Sequence, residues 1–106
     1  MSVITFPKQE IIPIYEGLPL YVEHHVNIPN GGSLAVSASA QFVIYDRFGR
    51  NRIHVLEGER QTSSFKWFVP ISVLAPLPHG TPYRIYVDNG TPETRFIPQA
   101  GTLAWI

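Results

Sequence analysis

The 106-residue sequence contains no cysteine. Disulfide bonds, cysteine-ligated zinc and thiol nucleophiles are therefore excluded, and this absence is typical of a protein made in the cytoplasm. Charged residues are also few, at 15%, whereas an average soluble protein contains about 25%. A surface with so little charge is expected to be covered in part by another molecule.

Neither a basic run nor a long apolar run is present. Eight Lys plus Arg balance eight Asp plus Glu, so binding to nucleic acid or to anionic lipid is not expected. The apolar runs are far shorter than the roughly 20 residues of a membrane helix. The first ten residues lack the basic and then apolar order of a signal peptide. The sequence therefore predicts a soluble, unexported protein with no membrane contact.

Alternating apolar and polar residues dominate the sequence and predict β-strands. The clearest alternation covers residues 18–28, and further runs cover residues 40–45, 52–56, 65–71 and 81–88. Apolar residues occupy both sides of the 40–45 strand, which predicts either a strand covered on both faces or one whose outer face meets a partner. The side chains predicted to point inward include Ile53, Val55, Phe65, Trp67, Val69, Ile71, Tyr83, Ile85 and Val87.

Glycine and proline separate these strands at the intervals of a sandwich or small barrel. Residues 46–50 predict a hairpin loop with Gly49 in the left-handed region, and Asn89-Gly90 predicts a two-residue turn. Prolines between residues 70 and 82 allow at most one short helical turn, around residues 72–75. Two final strands are predicted at 93–97 and 102–106. The predicted fold is an all-β antiparallel sandwich, or a partly open barrel, of seven to eight short strands.

The domain is predicted to cover residues 18–106, preceded by an apolar segment, 1–17. Pro7 and Pro13 interrupt that segment, and proline in sheets is confined to edges, strand starts and bulges. It is predicted to form either an edge strand of the same domain or an arm that docks on a neighbouring subunit. The apolar 102–106 strand would promote aggregation if it were left unpaired. It is therefore predicted to pair within its own sheet or to contact another protein.

Residues that could support catalysis form no recognisable motif. His24 and His25 are adjacent, so in a strand they point to opposite faces and cannot share one metal; His24 is interpreted as a core or interface residue. Glu57 and Glu59 flank Gly58, which favours a turn over a glycosidase pair. Phosphate-binding glycine loops, serine elbows and zinc-ligand spacings are missing. No catalytic, cofactor or metal residue is predicted, and an enzyme is not expected.

Aromatic residues provide the strongest functional signal. The chain has six Phe, five Tyr and two Trp, more than one small core requires, and several fall on predicted outer faces. Such rings are enriched at protein interfaces, and they also stack on sugars in carbohydrate-binding modules. The low charge and the apolar segments at both ends favour the interface. The predicted partner-binding residues are Ile4, Phe6, Ile11, Ile12, Tyr21, Tyr45, Phe68, Tyr86, Trp105 and Ile106.

A series of landmarks along the chain resembles one protein family. The landmarks are Glu16-Gly17, Trp67, Leu77-Pro78-His79-Gly80, Tyr83-Arg84-Ile85-Tyr86 and Gly101-Thr102-Leu103. In this order they resemble the LtfC-like β-sandwich domains encoded among the virion structural genes of tailed bacteriophages. The resemblance spans most of the chain and depends on strand spacing and a few common residues.

The resemblance implies a structural virion protein that is synthesised in the host cytoplasm and has no catalytic residues. The expected role is a minor or decoration protein on the capsid shell. A tail or head–tail connector component and a carbohydrate-binding module are the alternatives. The expected partners are phage structural proteins, either the major capsid protein or tail subunits, and further copies of the same chain.

Overall fold

The computed structural model describes residues 7–26 and 34–106, and it forms the β-sandwich that the sequence predicts. A five-stranded sheet has the order β1-β8-β7-β3-β4, and a three-stranded sheet has the order β2-β6-β5. The strands are β1 Lys8–Ile14, β2 Leu20–His25, β3 Ser39–Tyr45, β4 Arg52–Glu57, β5 Glu59–Arg60, β6 Ser64–Val69, β7 Thr81–Asp88 and β8 Phe96–Trp105; α1 is Ile71–Leu74, and Pro92–Thr94 form a 3₁₀ turn. In this part of the chain no helix is long or apolar enough to cross a membrane.

The core lies between the two sheets and is rich in aromatic rings. Phe42 stacks on Tyr83 with the ring centroids 5.1 Å apart, and Trp67 of the other sheet packs on Phe42 at 6.0 Å. The indole Nε1 of Trp67 donates a 3.0 Å hydrogen bond to the Leu56 carbonyl. The inward positions predicted for β6 and β7 are confirmed: Phe65, Trp67, Val69, Tyr83, Ile85 and Val87 are all buried.

Three further local predictions are confirmed. Strand β2 alternates between half-buried and exposed side chains along its whole length. Residues 42–45 of β3 are buried whichever way they point, because one face meets the core and the other is covered by side chains of the same sheet. Gly49 has a φ of 71° in the loop between β3 and β4, where a residue with a Cβ would be strained.

The predicted inward positions in β4 are wrong. Val55 lies opposite Val43, whereas Leu56 lies opposite the core residue Phe42. Since residues directly opposite each other share a face, Leu56 points inward and Ile53 and Val55 are exposed. Ile71 is also exposed, because β6 ends at Val69 and the chain turns into α1 before residue 71.

The last two predicted strands are a single strand, β8. The connection from β7 is longer than the predicted Asn89-Gly90 turn, because the 3₁₀ turn follows it, although Gly90 does have a positive φ of 101°. Pro98 is tolerated inside β8 because the pairing with β7 shifts nearby, between Ile85 and Val87. Its missing N–H is also not needed by β1, whose pairing begins at Gln99.

Strand β1 is an edge strand of the large sheet, and it runs parallel to β8. For residues 8–14 the structure therefore shows the edge-strand alternative, and Ile14 is buried in the core. Strand β8 is paired on both sides, with β1 and with β7. Ile4 and Phe6 lie outside the described residues, so a contact made by an arm before residue 7 stays a prediction.

The two long edges of the sandwich are built differently. At one edge, β4 passes through Gly58 directly into β5 of the other sheet, and the Gly58 N–H donates to the Ala40 carbonyl at 2.8 Å. At the other edge, β1 and β2 leave a groove of about 230 Å³ between them, whose lining includes Ile12, Tyr21 and Gln99. We call these the closed edge and the open edge.

Candidate interaction surfaces

Exposed apolar side chains gather at one end of the sandwich around a concave pocket of about 340 Å³. We call this surface the end patch and define it as Tyr15, Leu18, Ile71, Trp105 and Ile106. It combines the turn between β1 and β2, the first residue of α1 and the end of β8. Leu18 is 57% exposed and Ile106 is 75% exposed. These apolar side chains surround a hollow whose lining also includes the charged Glu16.

Backbone and indole hydrogen bonds hold the end patch in place. Gly17 takes a φ of 78° in the β1–β2 turn, and the Leu18 N–H donates to the Tyr15 carbonyl at 3.2 Å. The Trp105 Nε1 donates to the Leu77 carbonyl at 2.7 Å, so the polar atom of the ring is satisfied internally. Because its walls are fixed in this way, the pocket is preformed.

A second apolar feature lies on the outer face of the three-stranded sheet. Tyr21 and Phe68 are cross-strand neighbours, with ring centroids 5.1 Å apart and planes inclined at 53°. Tyr21 is 74% exposed. Next to the rings, Lys66 pairs with Glu23 at 3.6 Å. Rings at this inclination do not form one flat platform.

Two tyrosines and two arginines meet on the outer face of the five-stranded sheet. The Tyr45 and Tyr86 hydroxyls are 2.5 Å apart. The Arg84 guanidinium carbon lies 4.8 Å from the Tyr45 ring centroid, and that of Arg52 lies 5.4 Å from the Tyr86 ring centroid. We call these four residues the arginine–tyrosine cluster. Stacking on an aromatic face restricts a guanidinium group while its charge is kept.

The pKa values of the two tyrosines in the cluster shift in opposite directions. Burial raises the pKa of Tyr45, and its hydrogen bond to Tyr86 raises it further. Burial also raises the pKa of Tyr86, but its hydrogen bonds with Tyr45 and Arg84 outweigh burial and lower it. Either hydroxyl can donate in the hydrogen bond that joins them.

Polar side chains at the open edge connect β1, β7 and β8. The Tyr83 hydroxyl donates to the Glu10 carbonyl at 2.8 Å and accepts from the Gln99 amide at 2.9 Å. Burial lowers the pKa of His24 on β2, while a hydrogen bond with Gln99 acts in the opposite direction. This network satisfies polar groups inside the sandwich, and its role is structural.

The structure separates the predicted partner-binding residues into different surroundings. Trp105 and Ile106 belong to the end patch, Tyr21 and Phe68 form the exposed ring pair, and Ile11 is exposed on β1. Ile12 is partly buried against the core. Tyr45 is only 4% exposed, because its neighbours in the cluster cover it, so its ring offers little surface to a partner. Tyr86 is half-buried in the same cluster.

Sequence reasoning missed most of the end patch and both arginines of the cluster. Tyr15, Leu18 and Ile71 come from segments far apart in the sequence, and no periodicity links them. Arg84 has a detectable signal, because it lies two residues before Tyr86 and therefore on the same face of β7. Arg52 gives no such signal, since its position depends on the pairing of β3 with β4.

Among residues 7–26 and 34–106, no three His, Asp or Glu side chains come together where they could hold a metal ion. No protein-family model matches the sequence, and no curated protein matches it.

Proposed function

We propose that this chain is a non-enzymatic structural component of a tailed-phage particle, a minor or decoration protein that binds the head shell. The observation that carries the proposal is the end patch, an apolar surface with a preformed pocket on a sandwich. The resemblance of the sequence landmarks to LtfC-like virion domains provides the phage context. On this proposal the chain is located in the virion, and its partners are subunits of the shell.

The composition of the end patch supports a protein partner. Eleven large hydrophobic side chains are exposed among the described residues. Four of them surround one pocket: Tyr15, Leu18, Ile71 and Ile106. Single exposed apolar residues are normal, but a contiguous group marks an interaction site. A pocket within such a group accepts a side chain of the partner, as the central contacts of protein interfaces do.

A shell of repeated subunits would allow one modest contact of this kind to be effective. Each shell subunit offers the same binding surface, and linked contacts gain from their high effective concentration. The low overall charge of the chain agrees with this mode of binding, because the cores of interfaces are depleted of charged residues.

The location in the particle is tested by mass spectrometry of purified particles, with heads and tails separated before digestion. We expect peptides of this chain in the head fraction, in an amount that scales with that of the shell subunit. Peptides found in the tail fraction alone would contradict the head assignment. Their absence from both fractions would overturn the virion proposal.

The docking surface is tested by placing a charge in the end patch. We expect Leu18→Glu and Ile71→Glu each to reduce the occupancy on particles at least about tenfold, because a buried unpaired charge costs more than the roughly 1.4 kcal/mol of a tenfold change. Val36→Glu is the matched control, because Val36 is 96% exposed and lies outside the patch. Circular dichroism checks that each variant is folded. Normal loading of both patch variants would show that the patch is not the docking surface.

A further inference from the structure

The charged and apolar side chains on the outer face of the five-stranded sheet are arranged so that a second copy of the same face would complement them. We propose that two copies of this chain associate through this surface, which we define as the outward side chains of β3, β4 and β7. The two sheets would pack face to face about a two-fold axis that reverses the strand direction. This inference goes beyond the proposed function, since it concerns self-association and does not depend on what the end patch binds.

One end of the outer face carries excess positive charge. Four of the eight basic residues of the chain lie in or beside the β3–β4 hairpin. None of the four forms an ion pair with any residue in the described ranges. They are Arg47, Arg50, Arg52 and Arg84.

The carboxylate near these arginines is occupied by the backbone of the hairpin loop. Asp46 accepts a hydrogen bond from the Arg50 N–H at 3.0 Å and one from the Asn51 side-chain amide at 2.9 Å. The Arg50 N–H is the main reason that the pKa of Asp46 is lowered. Asp46 therefore shapes the loop and offsets only part of the positive charge.

The opposite end of the same face carries two carboxylates, one of which is already paired. Glu57 ends β4 opposite Gln41, and Asp88 ends β7 opposite Ser39. Side chains four residues apart in a strand share a face and lie about 13 Å apart, so Asp88 is displaced from Arg84 by that distance along β7. Arg95 pairs with Asp88 at 3.1 Å. Glu57 accepts a hydrogen bond from the Gln41 amide and forms no ion pair with the described residues.

Reversal of the strand direction places the basic end of one copy over the acidic end of the other, and symmetry makes the contact twice. Between Glu57 and Arg52 the outer surface of β4 is apolar, because Ile53 and Val55 are both exposed. Arg84 of β7 lies at the level of Val55, on the other side of the buried Val43. An apolar centre flanked by charged groups is the usual composition of a protein interface. The stacked guanidinium groups of Arg52 and Arg84 are already restricted, so less side-chain entropy is lost when they bind carboxylates.

The charge distribution favours a second copy over a polyanion. A nucleic acid laid across the face would meet Glu57 and Asp88 as well as the arginines, and the net charge of the chain is zero. A copy of the same face complements both ends at once.

Analytical ultracentrifugation of the purified chain over a wide range of concentration tests the inference. We expect a monomer–dimer equilibrium whose Kd rises with added salt, because the Debye length falls to about 3 Å at 1 M. Arg52→Glu/Arg84→Glu reverses the two strand charges at the basic end, and Gln41→Lys/Glu57→Lys replaces the free carboxylate at the other end by two positive charges. Each double variant alone is expected to raise the Kd about a hundredfold, since opposed like charges cost several kcal/mol.

A mixture of the two double variants separates charge repulsion from misfolding. We expect the mixture to form a heterodimer at concentrations where each variant alone is monomeric. Lys66→Glu is the control for a charge reversal on the other sheet, and it should dimerise like the unaltered chain. A monomeric unaltered chain at low salt overturns the inference, as does a dimer that persists in both double variants or a mixture that stays monomeric.

If the unaltered chain is monomeric and Arg52→Glu/Arg84→Glu also fails to load on particles, the outer face binds a different protein. That result overturns self-association and leaves the particle assignment intact. If the chain forms a dimer but never appears on particles, the particle assignment is overturned and self-association is left intact.

Discussion

The closed edge and the open edge of the sandwich join the two sheets and complete the interior in different ways. At the closed edge one continuous chain, β4 through Gly58 to β5, joins the sheets, and the Trp67 ring fills the corner. At the open edge the chain passes from β1 to β2 through the longer turn of residues 15–19, and the two strands are not hydrogen-bonded to each other in either sheet. There the interior is completed by the hydrogen bonds of Tyr83 and Gln99.

This difference shows that the open edge depends on close packing of the β1 and β8 backbones. An apolar corner tolerates small shifts of a ring, whereas the hydrogen bond from Tyr83 to the Glu10 carbonyl requires β1 to lie close to β8. Gly101 makes this approach feasible: a Cβ at that position would lie 2.0 Å from the Glu10 carbonyl oxygen. We therefore expect substitutions at the open edge to reduce stability strongly when they move the backbone and only slightly when they do not.

The largest expected effect is that of Gly101→Ala at the open edge. The added methyl group would also lie 2.8 Å from the Glu10 carbonyl carbon, so β1 must move away and the β1–β8 ladder must distort. We expect a loss of about 3 kcal/mol in the free energy of unfolding, the upper range for overpacking. Urea denaturation followed by tryptophan fluorescence measures it.

Gly17→Ala is the matched control for this substitution. A Cβ at Gly17 would meet no atom within 4 Å, but Gly17 has a positive φ, so only the cost of the left-handed conformation, about 1 kcal/mol, is expected. Equal losses in the two variants would mean that the close approach of β1 to β8 is unimportant.

At the closed edge, Trp67→Phe is expected to have an intermediate effect. It removes the hydrogen bond to the Leu56 carbonyl and part of the ring that packs at the Gly58 corner. The lost hydrogen bond and the remaining cavity together should cost about 2 kcal/mol. Thermal unfolding monitored by circular dichroism measures the change. An unfolding midpoint equal to that of the unaltered chain would show that the corner does not depend on the indole.

The smallest effect expected is a pH dependence that originates from His24 at the open edge. Burial lowers the pKa of His24 below its ordinary 6.5, so the unfolded chain binds the proton more readily. The contribution of neutral His24 to stability is complete above pH 6.5 and is lost as the pH falls toward the lowered value. His24→Gln should flatten the dependence of unfolding free energy on pH in this interval.

His25→Gln provides the comparison, because His25 lies next in the same strand with an exposed side chain. If His24→Gln and the unaltered chain respond equally to pH, the environment of His24 is not the source of the dependence.

Much of the fold follows from local patterns. Alternation identified β2, β6 and β7 with the correct inward faces, because these strands have one covered face and one exposed face. Alternation predicted the wrong inner face for β4. Ile53 and Val55 point to one face of this strand, His54 and Leu56 point to the other, and both pairs contain apolar side chains. There the pairing with β3 decides, and a shift of one residue exchanges the two faces.

The interaction surfaces were less predictable than the strands. The end patch combines residues 15–18, 71 and 105–106, and the arginine–tyrosine cluster combines three neighbouring strands. Exposed rings at Tyr21 and Phe68 could be predicted from strand parity alone. The burial of Tyr45 could not, because it depends on Arg84 and Tyr86, which reach it only through the order of strands in the sheet.

The parallel pairing of β1 with β8 also sets an order of events during synthesis. Lys8 lies opposite Gln99, and Ile14 lies opposite Trp105, so β1 lacks its ladder partner until β8 has been synthesised. Until then the apolar side chains of β1 remain without this ladder, and contacts this distant in sequence form slowly. The growing chain is therefore most exposed to misassociation through β1 before β8 emerges, and a chaperone that shields residues 8–14 would act at that stage.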